Sequence, residues 1–136
     1  MSELDREVLF QNESFFIGMI QAVAGGSIVG ALSQVEVLKL WVGSWPLLFF
    51  LTSSLVAISL ASFSAYWRHQ YKMWDVKAHA SKCRNEPQEA ATRSELASCN
   101  LRRMRSGMLY SLVSLLAGIA VLVLGLWLRA ICNVAA

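Results

Sequence analysis

The sequence predicts an all-α integral membrane protein with three transmembrane helices, the second and third extended into a cytoplasmic antiparallel helical hairpin. Composition is the first ground for this: 56% of the 136 residues are hydrophobic and only 15% are charged, against about a quarter charged in ordinary soluble domains. That much apolar surface would overfill the core of one water-soluble domain, so the excess must face lipid. The second ground is where the charges stand. No Asp, Glu, Lys or Arg lies between Phe15 and Val35, between Pro46 and Trp67, or between Met108 and Leu128. Each run has the roughly 20 residues that a helix needs to cross about 30 Å of hydrocarbon. The third is the patterned, basic segment between the last two runs.

Taken in order, residues 1–14 form an acidic amino terminus in which Glu3, Asp5, Glu7 and Glu13 outnumber Arg6. A cleaved signal peptide has a positive flank instead, so the first span is expected to stay attached. Transmembrane helix 1 covers 15–35, a short outer link 36–45, transmembrane helix 2 46–67, the basic hairpin 68–106, transmembrane helix 3 107–128 and an outer tail 129–136. Lys and Arg orient the spans, since basic loops stay cytoplasmic. The hairpin segment holds Arg68, Lys72, Lys77, Lys82, Arg84, Arg93, Arg102, Arg103 and Arg105, whereas the outer link has only Lys39 and the tail only Arg129. The amino terminus is therefore expected inside and the carboxyl terminus outside. Trp41, Trp45 and Trp127 fall where an outer aromatic belt belongs, and Tyr66, Trp67 and Tyr110 where an inner one does.

After the second span the chain continues without Pro or Gly as far as "RNEPQ", and Trp67, Tyr71, Trp74 and Ala78 share one helical face. A helix can restart with Pro87 in its first turn and Glu89 near its positive end. Ala90, Ser94, Ala97, Leu101, Met104 and Met108 then recur at four-three spacing into the third span. Two helices returning side by side are implied, with small residues on the second accepting Tyr71 and Trp74 from the first.

Small residues also line the spans. Gly18, Ala22, Gly26 and Gly30 recur every fourth residue in the first, Ser53, Ala57, Ala61 and Ala65 do so in the second, and Ser114 and Gly118 mark the third. Lipid gives helices little hydrophobic reason to associate, so close backbone approach along small residues supplies the packing. These are the expected helix-packing positions. Their spacing leaves open whether they pack the spans of one chain or join copies and partners. Gln21 is expected to hydrogen-bond a neighbouring helix. With no ionisable side chain inside the spans, a proton relay or pump is not expected.

Arg102, Arg103 and Arg105 abut the third span and are read as facing lipid headgroups; no nucleic-acid partner is expected. Cys83, Cys99 and Cys132 have neither the close pairing nor the spacing of a metal site. Reduced thiols are expected for the first two, and Cys132 is the one candidate for a disulfide between copies. The sequence contains no nucleophile elbow, phosphate loop, paired-carboxylate arrangement or cofactor motif. No enzyme activity, cofactor or metal is therefore expected.

The first span, "QAVAGGSIVGALSQ", followed by a span ending in aromatic residues and a third after a basic stretch, resembles a set of small uncharacterised bacterial multi-pass membrane proteins. Their first span carries a Gly-Gly-small motif. The resemblance implies a bacterial inner membrane and no particular activity. Two functions fit the sequence. One is a non-catalytic membrane subunit that forms a homo-oligomer or joins a larger membrane complex. The other is a small oligomeric pore, holin-like or a defence effector, whose walls would have to be built from Gln21, Ser27, Ser33 and a few other hydroxyls.

Overall fold

The computed structural model describes residues 3–84 and 86–134, with side chains from 11 to 84 and from 86 to 131. The side chains of Arg6 and Cys132 lie outside the described residues. Four helices follow one another: α1 (Glu3–Ser33), α2 (Val35–Val42), α3 (Ser44–Cys83) and α4 (Pro87–Val134). α1 stops at Ser33, before the expected boundary at Val35, and the expected outer link at 36–45 is largely a helix of its own. The reason lies at Gly43. Its φ of 91° suits glycine and strains other residues, and its N–H bonds the Lys39 carbonyl at 3.0 Å. That contact closes α2 and lets the chain reverse. α2 turns Val42 inward and leaves Glu36 and Lys39 in an exposed ion pair of 3.6 Å. Pro46 then falls in the first turn of α3, where its missing N–H has no intrahelical partner to lose.

α3 runs unbroken for 40 residues and α4 for 48. The turn between them is short. The Arg84 N–H reaches the Ala80 carbonyl at 3.2 Å, and the Glu86 N–H reaches that of Ser81 at 3.1 Å. Pro87 opens α4 with Glu89 in its first turn, a start that uses both the absent N–H of proline and the positive helix end.

Packing along this pair repeats every seven residues, the period that keeps one seam turned to a partner over many turns. On α4 the buried seam is Ala90, Ala97, Met104, Ser111 and Gly118; on α3 it is Phe50, Ala57, Ser64 and Ala78, with Tyr71 half-buried. The expected α4 face was therefore partly misplaced. Ser94 is exposed and its hydroxyl donates to the Ala91 carbonyl of its own helix at 2.7 Å, while Arg93 crosses instead to Ser81 and to the Lys77 carbonyl. Asn100 is buried where Leu101 was expected, and Leu101 is only half-buried. Trp67 and Trp74 are also half-buried. Lys77 lies 4.7 Å from the Trp74 ring and Arg103 4.8 Å from that of Trp67, so cations cover these aromatic faces in part.

α3 is the central helix, packed along α4 and against α1, and α1 also touches α4. Ile17 and Ile20 of α1 cluster with Ala61 and Met108, Ala24 with Ala57 and Leu115, and Ala31 with Leu47 and Phe50. Met108 thus serves the α1 contact. Three helices, over Gln11–Ser33, Ser44–Cys83 and Pro87–Ile131, are long and apolar enough to cross a membrane. Only 22%, 33% and 17% of their most apolar stretches are buried within the chain, so most of this surface is turned outward. By length and composition of its helices the molecule is a candidate multi-pass membrane protein.

Candidate functional site

The small residues of α3 and α4 meet each other. The Ser111 hydroxyl donates to the Ala57 carbonyl at 2.6 Å and the Ser114 hydroxyl to that of Ser53 at 3.0 Å. Each replaces a lone back-bond within one helix by a bond across the seam, where apolar surroundings make an unpaired hydroxyl costly. A methyl group on Gly118 would collide with the Ser53 side chain, one on Gly107 with Ser64, and one on Gly125 would lie 2.7 Å from Val42 and 3.0 Å from Pro46. Close approach is what these glycines provide. Of the expected positions, Ser53, Ala57, Ser114 and Gly118 stand on this seam, and Ala61 is buried against α1. Ala65 is exposed; Ser64 takes the place assigned to it. Ser64, Gly107 and Ser111 were missed because four-residue spacing was followed where the repeat is seven.

The line on α1 has the opposite surroundings. Gly18, Ala22, Gly26 and Gly30 are all exposed, and a methyl group on Gly18, Gly26 or Gly30 would find nothing within 4 Å. α1 reaches α3 through Ile17, Ile20, Ala24 and Ala31 instead. Among the described residues, then, this line meets no other helix of the chain at Gly18, Gly26 or Gly30. Its larger neighbours give more dispersion contact with α3 than glycine can. Gln21 does bond a neighbouring helix, its Nε2 donating to the Ser62 hydroxyl at 3.1 Å.

The three arginines beside the α4 span separate onto two sides. Arg105 lies 3.6 Å from Glu13 of α1, whose side chain is only 15% exposed, so one carboxylate already offsets its charge. Arg103 lies over Trp67. Arg102 is exposed, and neither it nor Arg103 has an ion-pair partner among the described residues. At the opposite end, Arg129 donates to the Lys39 carbonyl at 3.1 Å, tying α4 to α2. Cys83 and Cys99 are exposed free thiols. Among the described residues no group of three or more His, Cys, Asp or Glu side chains is placed to hold a metal ion. Compared with protein-family models, curated proteins and solved structures, the chain matches none.

Proposed function

We propose that the chain is a non-catalytic multi-pass membrane subunit that associates, with copies of itself or with a larger membrane complex, through the α1 face bearing Gly18, Ala22, Gly26 and Gly30. The observation that carries this reading is the contrast in occupancy: Ser53, Ala57, Ser114 and Gly118 of α3 and α4 meet across one seam, whereas among the described residues nothing stands beside Gly18, Gly26 or Gly30 of α1. A shallow face permits close backbone approach, which is the main source of helix association in lipid. In this reading the membrane is a bacterial inner membrane. The amino terminus and the paired ends of α3 and α4 around Arg84 lie in the cytoplasm, α2 lies at the outer surface, and the carboxyl terminus lies outside.

The pore alternative is less well supported by the hydroxyls. Those of Thr52, Ser59 and Ser62 donate to the carbonyls of Leu48, Leu55 and Ile58 within α3, each at 2.9 Å. They are satisfied against hydrocarbon without a water-filled path.

Gly26→Leu tests the reading. The variant should remain folded as a monomer while losing co-purification or self-association from native membrane, and unchanged association would sink the assignment of this face. Ion conductance by the purified protein in liposomes would instead favour the pore. Orientation is tested in a background with Cys83, Cys99 and Cys132 replaced by Ser. Ser44→Cys should react with an impermeant thiol reagent in intact cells and Ser94→Cys should not; the reverse pattern would invert the threading.

A further inference from the structure

Alongside the seam, α3 and α4 form a groove of about 510 Å³ whose lining includes Phe63, Trp67, Arg102, Arg103, Ser106 and Tyr110. Its two ends differ in chemistry. Arg102, Arg103 and Ser106 precede the uncharged run that starts at Met108, whereas Phe63 and Tyr110 belong to the uncharged runs of α3 and α4. From Arg103 to Tyr110 is about 10 Å along the helix axis, enough to reach from the headgroup layer, about 5–7 Å thick on each side, into the hydrocarbon. Gly107 lies at the base, so close to Ser64 that a methyl group there would collide with its hydroxyl.

We propose that this groove binds an anionic phospholipid, its phosphate between the Arg102 and Arg103 guanidinium groups and an acyl chain along Phe63 and Tyr110. Charge complementarity is the first support. Both arginines lack a carboxylate partner among the described residues, and a guanidinium offers several N–H donors to phosphate oxygens at once. Trp67 is the second. With Tyr66 against its edge at 5.3 Å, it forms a shelf under Arg103 at 4.8 Å; stacking holds the guanidinium plane while its N–H edges remain free to donate. The third is the contrast across the molecule. The groove between α1 and α4, of about 300 Å³, contains Arg105 among Phe16, Met19 and Met108, but Glu13 offsets that charge at 3.6 Å. Of these two grooves, the one at Trp67 presents cations without a carboxylate partner among the described residues next to a hydrocarbon wall, which suits a lipid and not a free phosphate or a nucleic acid. The proposal rests on the membrane placement above and is independent of association through α1.

The full chain is reconstituted in phosphatidylcholine vesicles carrying brominated phosphatidylglycerol or, in parallel, brominated phosphatidylcholine at the same mole fraction. Quenching of Trp67, taken as the difference between the wild type and Trp67→Phe, should favour the anionic lipid by about fivefold per arginine at low salt. The preference should fall as ionic strength rises. Arg102→Gln combined with Arg103→Gln should abolish it, and Arg105→Gln should leave it in place. Equal quenching by the two lipids in the wild type, a comparison that needs no variant to fold, would overturn the site. Loss of preference in Arg105→Gln would do so too. Soluble glycerol phosphate or a short RNA should not displace the lipid, and displacement by either would overturn the lipid as occupant. Gly26→Leu should retain the preference; its loss there would place the site between copies and overturn the assignment to one chain's groove.

Discussion

Along α3 and α4 the small residues Ser53, Ala57, Ser111 and Ser114 cover one another and exchange two hydrogen bonds across the seam, whereas along α1 Gly18, Gly26 and Gly30 have open space beside them. Both sets follow helical spacing, yet they differ in chemistry. The α3 and α4 seam contains hydroxyls, which are costly to leave unpaired in an apolar setting and so reward a specific register. The α1 line has no hydroxyl and no bulk, and on the opposite face of the same helix Ile17 and Ile20 offer more dispersion contact. Small-residue spacing therefore identifies a surface capable of close approach. The partner it approaches is decided by what the other faces of that helix can bury.

The largest effect that would sharpen this contrast is expected at Met104, which is fully buried in the α4 seam. Met104→Ala should destabilise the monomer by about 2–5 kcal/mol in equilibrium unfolding from detergent micelles. Met19→Ala, on the outward side of α1 at 42% exposure, should change it by less than about 0.5 kcal/mol. Similar losses at both would break the comparison. Next comes Gly118→Leu, whose side chain must displace Ser53; overpacking of this kind costs about 1–3 kcal/mol. Gly26→Leu, with nothing beside it, should leave monomer unfolding unchanged, and a cost equal to that of Gly118→Leu would mean that α1 uses both its faces within the chain.

A smaller difference separates two hydroxyls. Ser111→Ala removes the bond to the Ala57 carbonyl and should cost about 0.6–2 kcal/mol, whereas the Ser59 hydroxyl bonds only its own helix and Ser59→Ala should be nearly neutral. The smallest is the link from Glu13 to Arg105. With Arg105 at 61% exposure, a double-mutant cycle of Glu13→Gln and Arg105→Gln should give at most about 1 kcal/mol of coupling. That coupling should weaken with added salt. A large, salt-independent value would show that α1 is anchored by charge as much as by Ile17 and Ile20.

Much of this fold was legible because its strongest signals are local. The uncharged runs mark helices long and apolar enough to span, and the lack of Pro and Gly from Leu47 to Cys83 fits one unbroken helix. Pro87 begins α4, as its chemistry suggests. What was missed depends on neighbours. The helix α2 is too short for its periodicity to stand out, and its end at Gly43 depends on a backbone angle. Leu101 and Asn100 compete for adjacent positions on α4; apolar character favours the former, but the seven-residue repeat buries the latter. Trp74 carries the bulk of a core residue, yet Lys77 on its own helix covers part of the ring. The line of Gly18, Ala22, Gly26 and Gly30 was expected to pack, within the chain or between copies, and its outward position could not be read because spacing contains no information about which face of a helix finds its neighbour first.

The continuity of α3 and α4 gives the molecule a mechanical property. Neither helix has a break where its apolar stretch gives way to the basic one, and the seven-residue seam continues through that boundary. In the proposed membrane placement the pair would act as a stiff lever pivoting at the headgroup level. With roughly 20 residues beyond the span, or about 30 Å of helix, a tilt of about 10° within the bilayer would sweep the tip near Arg84 through about 5 Å. Such displacement needs no local unfolding, because the hydrogen-bonded ladder is shared by the two ends of the rod. A change in bilayer thickness, which helices accommodate by tilting, would be converted into movement of a polar tip far from the lipid.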